Sequence, residues 1–136
     1  LNETKAIFFK TIKKLIPFFL LGVVIILIAI ELFQGVIKTT FKIENIILFK
    51  RIIYLGILIT PFYMVWDLFY RFYYREQKIN NLIVIVVTGL LFNLLFNFIL
   101  GIKLSLGIYG ILISTLVVFL FYNIVSYKYF FIDNRK

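Results

Sequence analysis

The sequence predicts an all-α fold, a polytopic membrane helix bundle with four transmembrane helices. Of its 136 residues, 63% are apolar and only 15% are charged, and the mean hydropathy is +1.06. Soluble domains are about 45–50% apolar and about 25% charged, so this chain has too many apolar side chains for a water-soluble core. At roughly 20 apolar residues for each span, it has room for about four. Asn93 and Asn97 lie one turn apart in an apolar stretch, and amides in hydrocarbon need polar partners, which indicates a bundle.

The first predicted element combines a basic amphipathic start with a membrane span. Residues 1–14 place their apolar side chains on one side and their lysines elsewhere, as in a helix that lies at the membrane surface. The first span follows over residues 15–33, with Pro17 in its opening turn, where the missing N–H does least harm. Glu31 lies near its far end and is expected to reach the interface. Residues 34–45 are predicted to be a polar loop.

The second span is predicted over residues 46–74, with Pro61 in its middle. A proline there kinks a helix, and the hydroxyl of Thr60 is expected to bond the carbonyl that the proline frees. The segment from Trp66 to Arg75 is an aromatic and charged belt, so we expect Trp66 and the tyrosines to be membrane-interface anchors.

The third and fourth spans are predicted over residues 82–100 and 108–130. A polar turn at residues 76–81 precedes the third span, and a loop at residues 101–107 separates the two. Residues 1–136 thus form a single membrane domain. The chain begins with Leu1 instead of Met, and we expect it to be a fragment of a longer chain.

Lys and Arg are unequally distributed between the two sides of the predicted membrane, and this bias sets the orientation. Ten lie on the side of both termini and five on the other. The first group is Lys5, Lys10, Lys13, Lys14, Arg71, Arg75, Lys78, Lys128, Arg135 and Lys136; the second is Lys38, Lys42, Lys50, Arg51 and Lys103. We therefore expect a multi-pass protein of the inner (plasma) membrane with both termini cytoplasmic. The net charge of +9 follows this pattern, and no basic helix suited to nucleic acid occurs.

Cysteine and histidine are both missing from the sequence, which excludes several function classes. Without them there is no thiol nucleophile, imidazole base or usual zinc or haem ligand. The six carboxylates are Glu3, Glu31, Glu44, Asp67, Glu76 and Asp133, and no two form a close pair within an apolar segment. We expect no enzyme activity, no cofactor and no metal site.

Two pairs of polar residues are candidates for a substrate pathway. Asp67 and Arg71 are spaced i, i+4 and can pair on one helix face, either as an ion pair that ends the span or as a contact for an anionic headgroup. Asn93 and Asn97 either bond neighbouring helices or line a polar route. A third group, of small or amide side chains, is assigned to helix packing: Gly107, Gly110, Ser114 and Asn123.

Several short motifs, in order along the chain, resemble the C-terminal lobe of the MurJ-type lipid II flippases. That family belongs to the superfamily that also holds multidrug extruders and polysaccharide flippases. The matching segments are Leu32-Phe33-Gln34-Gly35, Arg71-Phe72-Tyr73-Tyr74, Asn93-Leu94-Leu95-Phe96-Asn97, Gly107-Ile108-Tyr109-Gly110 with Ser114-Thr115, and Asn123. The chain departs from the family at residues 78–82, which lack the usual Asp and Pro, and after Gly110, where Ile and Leu replace alanines.

The resemblance implies part of a larger two-lobe transporter that translocates a lipid-linked cell-wall precursor in peptidoglycan synthesis. The partners would be membrane lipids, a substrate with a lipid-linked anionic headgroup, and a missing N-terminal lobe. Of the charged family positions only Arg71 matches, with headgroup contact or gating as its implied role. Two alternatives stay open: a polysaccharide-repeat (O-antigen type) flippase and a non-transporting four-span accessory subunit.

Overall fold

The computed structural model describes residues 2–40 and 45–132, with the side chains of Asn2 and Thr4 left aside. It contains α1 (Asn2–Thr40), α2 (Ile46–Arg75), α3 (Ile79–Phe96), a π-helical segment (Asn97–Lys103) that continues α3, and α4 (Ile108–Phe131). Four helices are long and apolar enough to cross a membrane, which confirms the all-α fold and a multi-pass membrane protein. The expectations for the following residues lie outside the described ranges: Leu1, Lys42, Glu44, Asp133, Arg135 and Lys136.

Helix α1 is longer than the sequence predicted. It is continuous over 39 residues, about 58 Å, whereas a hydrocarbon core is about 30 Å thick. The prediction of a loop at residues 34–45 is therefore wrong for residues 34–40. They contain no proline, and the hydroxyl of Thr39 bonds the carbonyls of Gly35 and Val36. Pro17 lies inside the helix instead of in its opening turn.

Helix α2 has a clear start and runs unbroken through its proline. The side chain of Asn45 accepts a hydrogen bond from the backbone N–H of Leu48 at 2.9 Å and caps the helix. The hydroxyl of Thr60 donates to the carbonyl of Gly56 at 2.9 Å. Thr60 was expected to bond the carbonyl that Pro61 leaves without a donor, which is that of Ile57. That expectation is wrong. The bond is made one residue earlier because a Thr hydroxyl reaches back to its own i−4 carbonyl.

A Schellman turn joins α2 to α3, which begins at Ile79, three residues before the predicted span. The N–H groups of Gln77 and Lys78 bond the carbonyls of Tyr74 and Tyr73, and Gln77 has φ 57°. Lys78 pairs with Glu76 at 3.1 Å. Burial disfavours the charged form of Lys78, but the hydrogen bond and charge of Glu76 outweigh it, so the pKa of Lys78 is raised.

The predicted loop at residues 101–107 is mostly helical. The π-helical segment extends through Lys103, and only residues 104–107 leave the helix before α4 begins. Gly107 has φ 55° and ψ −129°, a backbone conformation that favours glycine. A Cβ at Gly107 would meet nothing within 4 Å. This glycine permits the turn, and its N–H donates to the carbonyl of Gly101 at 3.2 Å; its assignment to helix packing stays a prediction.

The core lies at one end of the bundle, where α1 and α3 begin and α2 and α4 end; we call it the aromatic end. Its buried residues are Phe8, Trp66, Phe69, Phe72, Tyr73, Leu82, Ile85, Val118, Tyr122, Phe130 and Phe131. The expectation of interface anchoring is wrong for Trp66, Tyr73 and Tyr122, which are at most 8% exposed. Trp66 stacks on Tyr122 at 4.4 Å between ring centroids, so these rings serve helix packing. The apolar side of residues 1–14 likewise faces protein: the Phe8 ring lies 4.7 Å from that of Phe69.

Candidate functional site

A cluster of two amides and a hydroxyl joins α3 and its π-helical extension to α4. The side-chain amide of Asn97 donates to the Oδ1 of Asn93 at 2.8 Å. The hydroxyl of Ser114, which is fully buried, bonds the Oδ1 of Asn97 and the carbonyl of Ile111. The i, i+4 spacing had placed the two asparagines on one face; their partner across the interface is Ser114. These groups satisfy one another inside the apolar part of the bundle.

Gly110 brings the start of α4 against the backbone of the π-helical segment. A Cβ at Gly110 would lie 2.6 Å from the amide nitrogen of Gly101 and 2.6 Å from the carbonyl carbon of Leu100. No residue larger than glycine fits there without displacing backbone. This approach is close enough for Ser114, one turn further along α4, to reach Asn97.

Two further contacts hold α4 to its neighbours. Asn123, expected to contact another helix, donates to the carbonyl of Phe62 on α2 at 2.8 Å. Tyr122 lies over Gly89 on α3, where a Cβ would meet its ring at 2.1 Å, and its hydroxyl donates to the carbonyl of Val86. Tyr122 was missed as a packing residue because tyrosines in a membrane sequence are usually assigned to the interface.

Asp67 and Arg71 lie on α2, near the aromatic end and away from the amide cluster. The Nε of Arg71 contacts the Oδ2 of Asp67 at 2.9 Å, and the arginine side chain is 74% exposed. Both line a groove of about 270 Å³ between α1 and α2. Its polar lining also includes Thr11 and Tyr63, and its apolar lining is Leu15, Met64 and Leu68. The structure therefore leaves the guanidinium accessible beside an apolar wall.

An ion pair between α1 and α2 was not predicted. The Nζ of Lys50 lies 2.8 Å from both carboxylate oxygens of Glu31, and the hydroxyl of Tyr54 lies 3.5 Å from one of them. Glu31 and Lys50 are 19 residues apart, so no local spacing indicates the contact. The only available signal was the opposite charge of two residues near the same predicted membrane boundary.

Within residues 2–40 and 45–132, no three His, Cys, Asp or Glu side chains come together as metal ligands would. Comparisons of the chain with protein-family models, curated proteins and solved structures each gave no match.

Proposed function

We propose that this chain is part of a flippase that translocates a lipid-linked cell-wall precursor, a lipid II-like molecule, across the inner membrane in peptidoglycan synthesis. Such translocation is non-hydrolytic and needs a polar contact for the headgroup beside an apolar path for the lipid tail. The missing partner is a second lobe that completes the cavity, and the headgroup is anionic.

The observation that carries this proposal is the exposed Arg71 in the groove between α1 and α2. Arginine binds phosphate bidentately, and the side chain of Arg71 is 74% exposed although it pairs with Asp67. The groove places this charge next to Leu15, Met64 and Leu68. An amphiphile with a phosphate at one end and a prenyl chain behind it suits such a lining. Asp67 would hold the arginine in place and release it to the headgroup.

The distribution of charge supports the inner membrane and cytoplasmic termini. The aromatic end carries Arg71, Arg75 and Lys78 together with the four lysines of α1 that precede its apolar stretch. Under the positive-inside rule that end faces the cytoplasm. Arg71 would then meet the headgroup on the side where the precursor is made.

Complementation of a flippase-depleted strain by the full-length protein tests the proposal. Loss of a charged hydrogen bond costs about 1.5–3 kcal/mol, so we expect Arg71→Ala to lower complementing activity about tenfold or more and Arg71→Lys to retain part of it. Arg51→Ala, a cation removed from the opposite end of α2, is the matched control. All variants must reach wild-type levels in the membrane. Full complementation by Arg71→Ala would refute the role of this groove.

A second candidate, a four-span accessory subunit without transport activity, is favoured by a different observation. Asn93, Asn97 and Ser114 bond one another, which suits helix assembly better than the wall of a polar route. This candidate predicts that Asn97→Leu alters association of the complex and leaves transport per assembled complex unchanged. Lower transport at unchanged assembly would exclude it.

A further inference from the structure

A cleft between α1 and α4 lies on the bundle face where Phe9, Val65 and Ile124 meet. It encloses about 530 Å³ between the first turns of α1, the middle of α2 and the last three turns of α4. A second cavity of about 230 Å³ adjoins it at Val65 and has an entirely apolar lining that includes Phe19 and Pro61. We call the two together the α1–α4 cleft. The smaller cavity shares Leu15, Met64 and Leu68 with the proposed headgroup groove, whereas the larger one shares no lining residue with that groove.

The cleft has the depth of one membrane leaflet. Its residues on α4 extend from Leu120 to Ile132, which is about 18 Å along a helix. Half of a hydrocarbon core is about 15 Å. A hydrocarbon chain is narrow enough to enter.

Among the residues that the structure describes, the only charged side chain lining the cleft is positive and lies at its aromatic end. Lys128 lines it there and is exposed. Lys5 lies nearby on α1, one turn before the cleft residue Phe9, with its ammonium 6.0 Å from the ring of Phe131. Within residues 2–40 and 45–132 neither lysine pairs with a carboxylate. Deeper in the cleft, the side-chain amide of Asn123 donates to the carbonyl of Phe62, and its Oδ1 is buried without a hydrogen-bond partner among the described residues.

We propose that the α1–α4 cleft binds an anionic phospholipid, with its phosphate at Lys5 and Lys128 and an acyl chain along Phe62 and Ile124. Lysine ammonium groups recognise phosphate as point charges. Apart from Asn123, the lining at depth is apolar and uncharged, so the ligand is an amphiphile with its charge at one end. The lipid would fill the gap that separates α1 from α4 and tie α1 to the bundle. This site stands whether or not Arg71 contacts a transport substrate.

Photo-crosslinking with a defined lipid tests the site. The full chain is reconstituted in phosphatidylcholine vesicles that contain a trace of phosphatidylglycerol with a diazirine in its acyl chain, and labelled residues are mapped by mass spectrometry. We expect labels on Phe62, Leu120 and Ile124, and competition by unlabelled phosphatidylglycerol but not by phosphatidylcholine. A lysine near an anionic lipid surface contributes about fivefold to binding. The double variant K5Q/K128Q should therefore lose labelling by about tenfold or more.

Matched variants separate the cleft from ordinary lipid contact. K38Q/K103Q removes two exposed lysines from the opposite end and should leave labelling unchanged. Ile124→Trp, which fills the cleft, should abolish the labels, whereas Ile113→Trp, exposed on α4 outside the cleft, should not. Labels spread evenly over the outer faces of α1 and α4, or labelling insensitive to K5Q/K128Q, would overturn the proposal. Crosslinks from the cleft to another polypeptide in native membranes, with no lipid label, would also overturn it.

Discussion

Replacement of Gly110 by alanine should destabilise the bundle although alanine is the better helix former. The new Cβ would lie 2.6 Å from backbone atoms of Leu100 and Gly101, whereas ordinary contact begins near 3.4 Å. Backbone cannot move aside as a flexible side chain can, so the start of α4 must shift outward by the difference. Overpacking by one methyl group lowers the free energy of unfolding by about 2–3 kcal/mol at a tight site. The higher helix propensity of alanine offsets about 1 kcal/mol of this loss. We therefore expect a net loss of about 1–2 kcal/mol.

Unfolding in mixed micelles of increasing SDS fraction measures this loss. The fluorescence of the single tryptophan, Trp66, which stacks on Tyr122, reports the transition, and circular dichroism checks it. The matched control is Gly56→Ala in α2, where a Cβ would meet nothing within 4 Å; it should stabilise the protein by up to about 1 kcal/mol. The reasoning fails if Gly110→Ala unfolds at the same or a higher SDS fraction than the wild type.

Three further outcomes are expected. Asn97→Leu removes two side-chain hydrogen bonds, each worth on average about 0.6 kcal/mol in a membrane, so SDS unfolding should show a loss of about 1 kcal/mol; an unchanged midpoint would mean that the cluster does not hold the helices. Glu31→Lys places a like charge beside Lys50, and because Glu31 is 56% exposed the loss in the free energy of unfolding should be only about 0.5–1 kcal/mol. The double variant with Lys50→Glu should recover the lost stability. If it does not, a direct ion pair is excluded. The raised pKa of Lys78 means that its pairing with Glu76 contributes stability at neutral pH. That contribution should disappear as the pH rises through the raised pKa, above 10.5, and Glu76→Gln should remove this part of the pH dependence.

The sequence by itself determined the solvent and the number of helices. An apolar fraction of 63% requires lipid, and hydrocarbon allows only backbone that bonds within its own segment. The start of the second span at residue 46 was predicted from the end of the polar stretch, and the structure adds that Asn45 caps α2 there. The shared face of Asn93 and Asn97 followed from their spacing alone. Each of these features depends on residues within one or two turns of one another.

Beyond the residues that the sequence had assigned to helix packing, such as Gly110 and Ser114, only the tertiary structure decided which faces pack and which stay exposed. The buried face of α4 repeats every four residues, at Gly110, Ser114, Val118, Tyr122, Ser126 and Phe130, yet the residues around this stripe are just as apolar. In water a buried face differs in polarity from an exposed one, but in lipid both are apolar, so the sequence carries little periodic signal. The sequence also did not predict that Asn97 meets Ser114, that Gly110 meets the backbone of Leu100 and Gly101, or that Glu31 meets Lys50. Their pairing depends on close approach between backbones, which local composition does not encode.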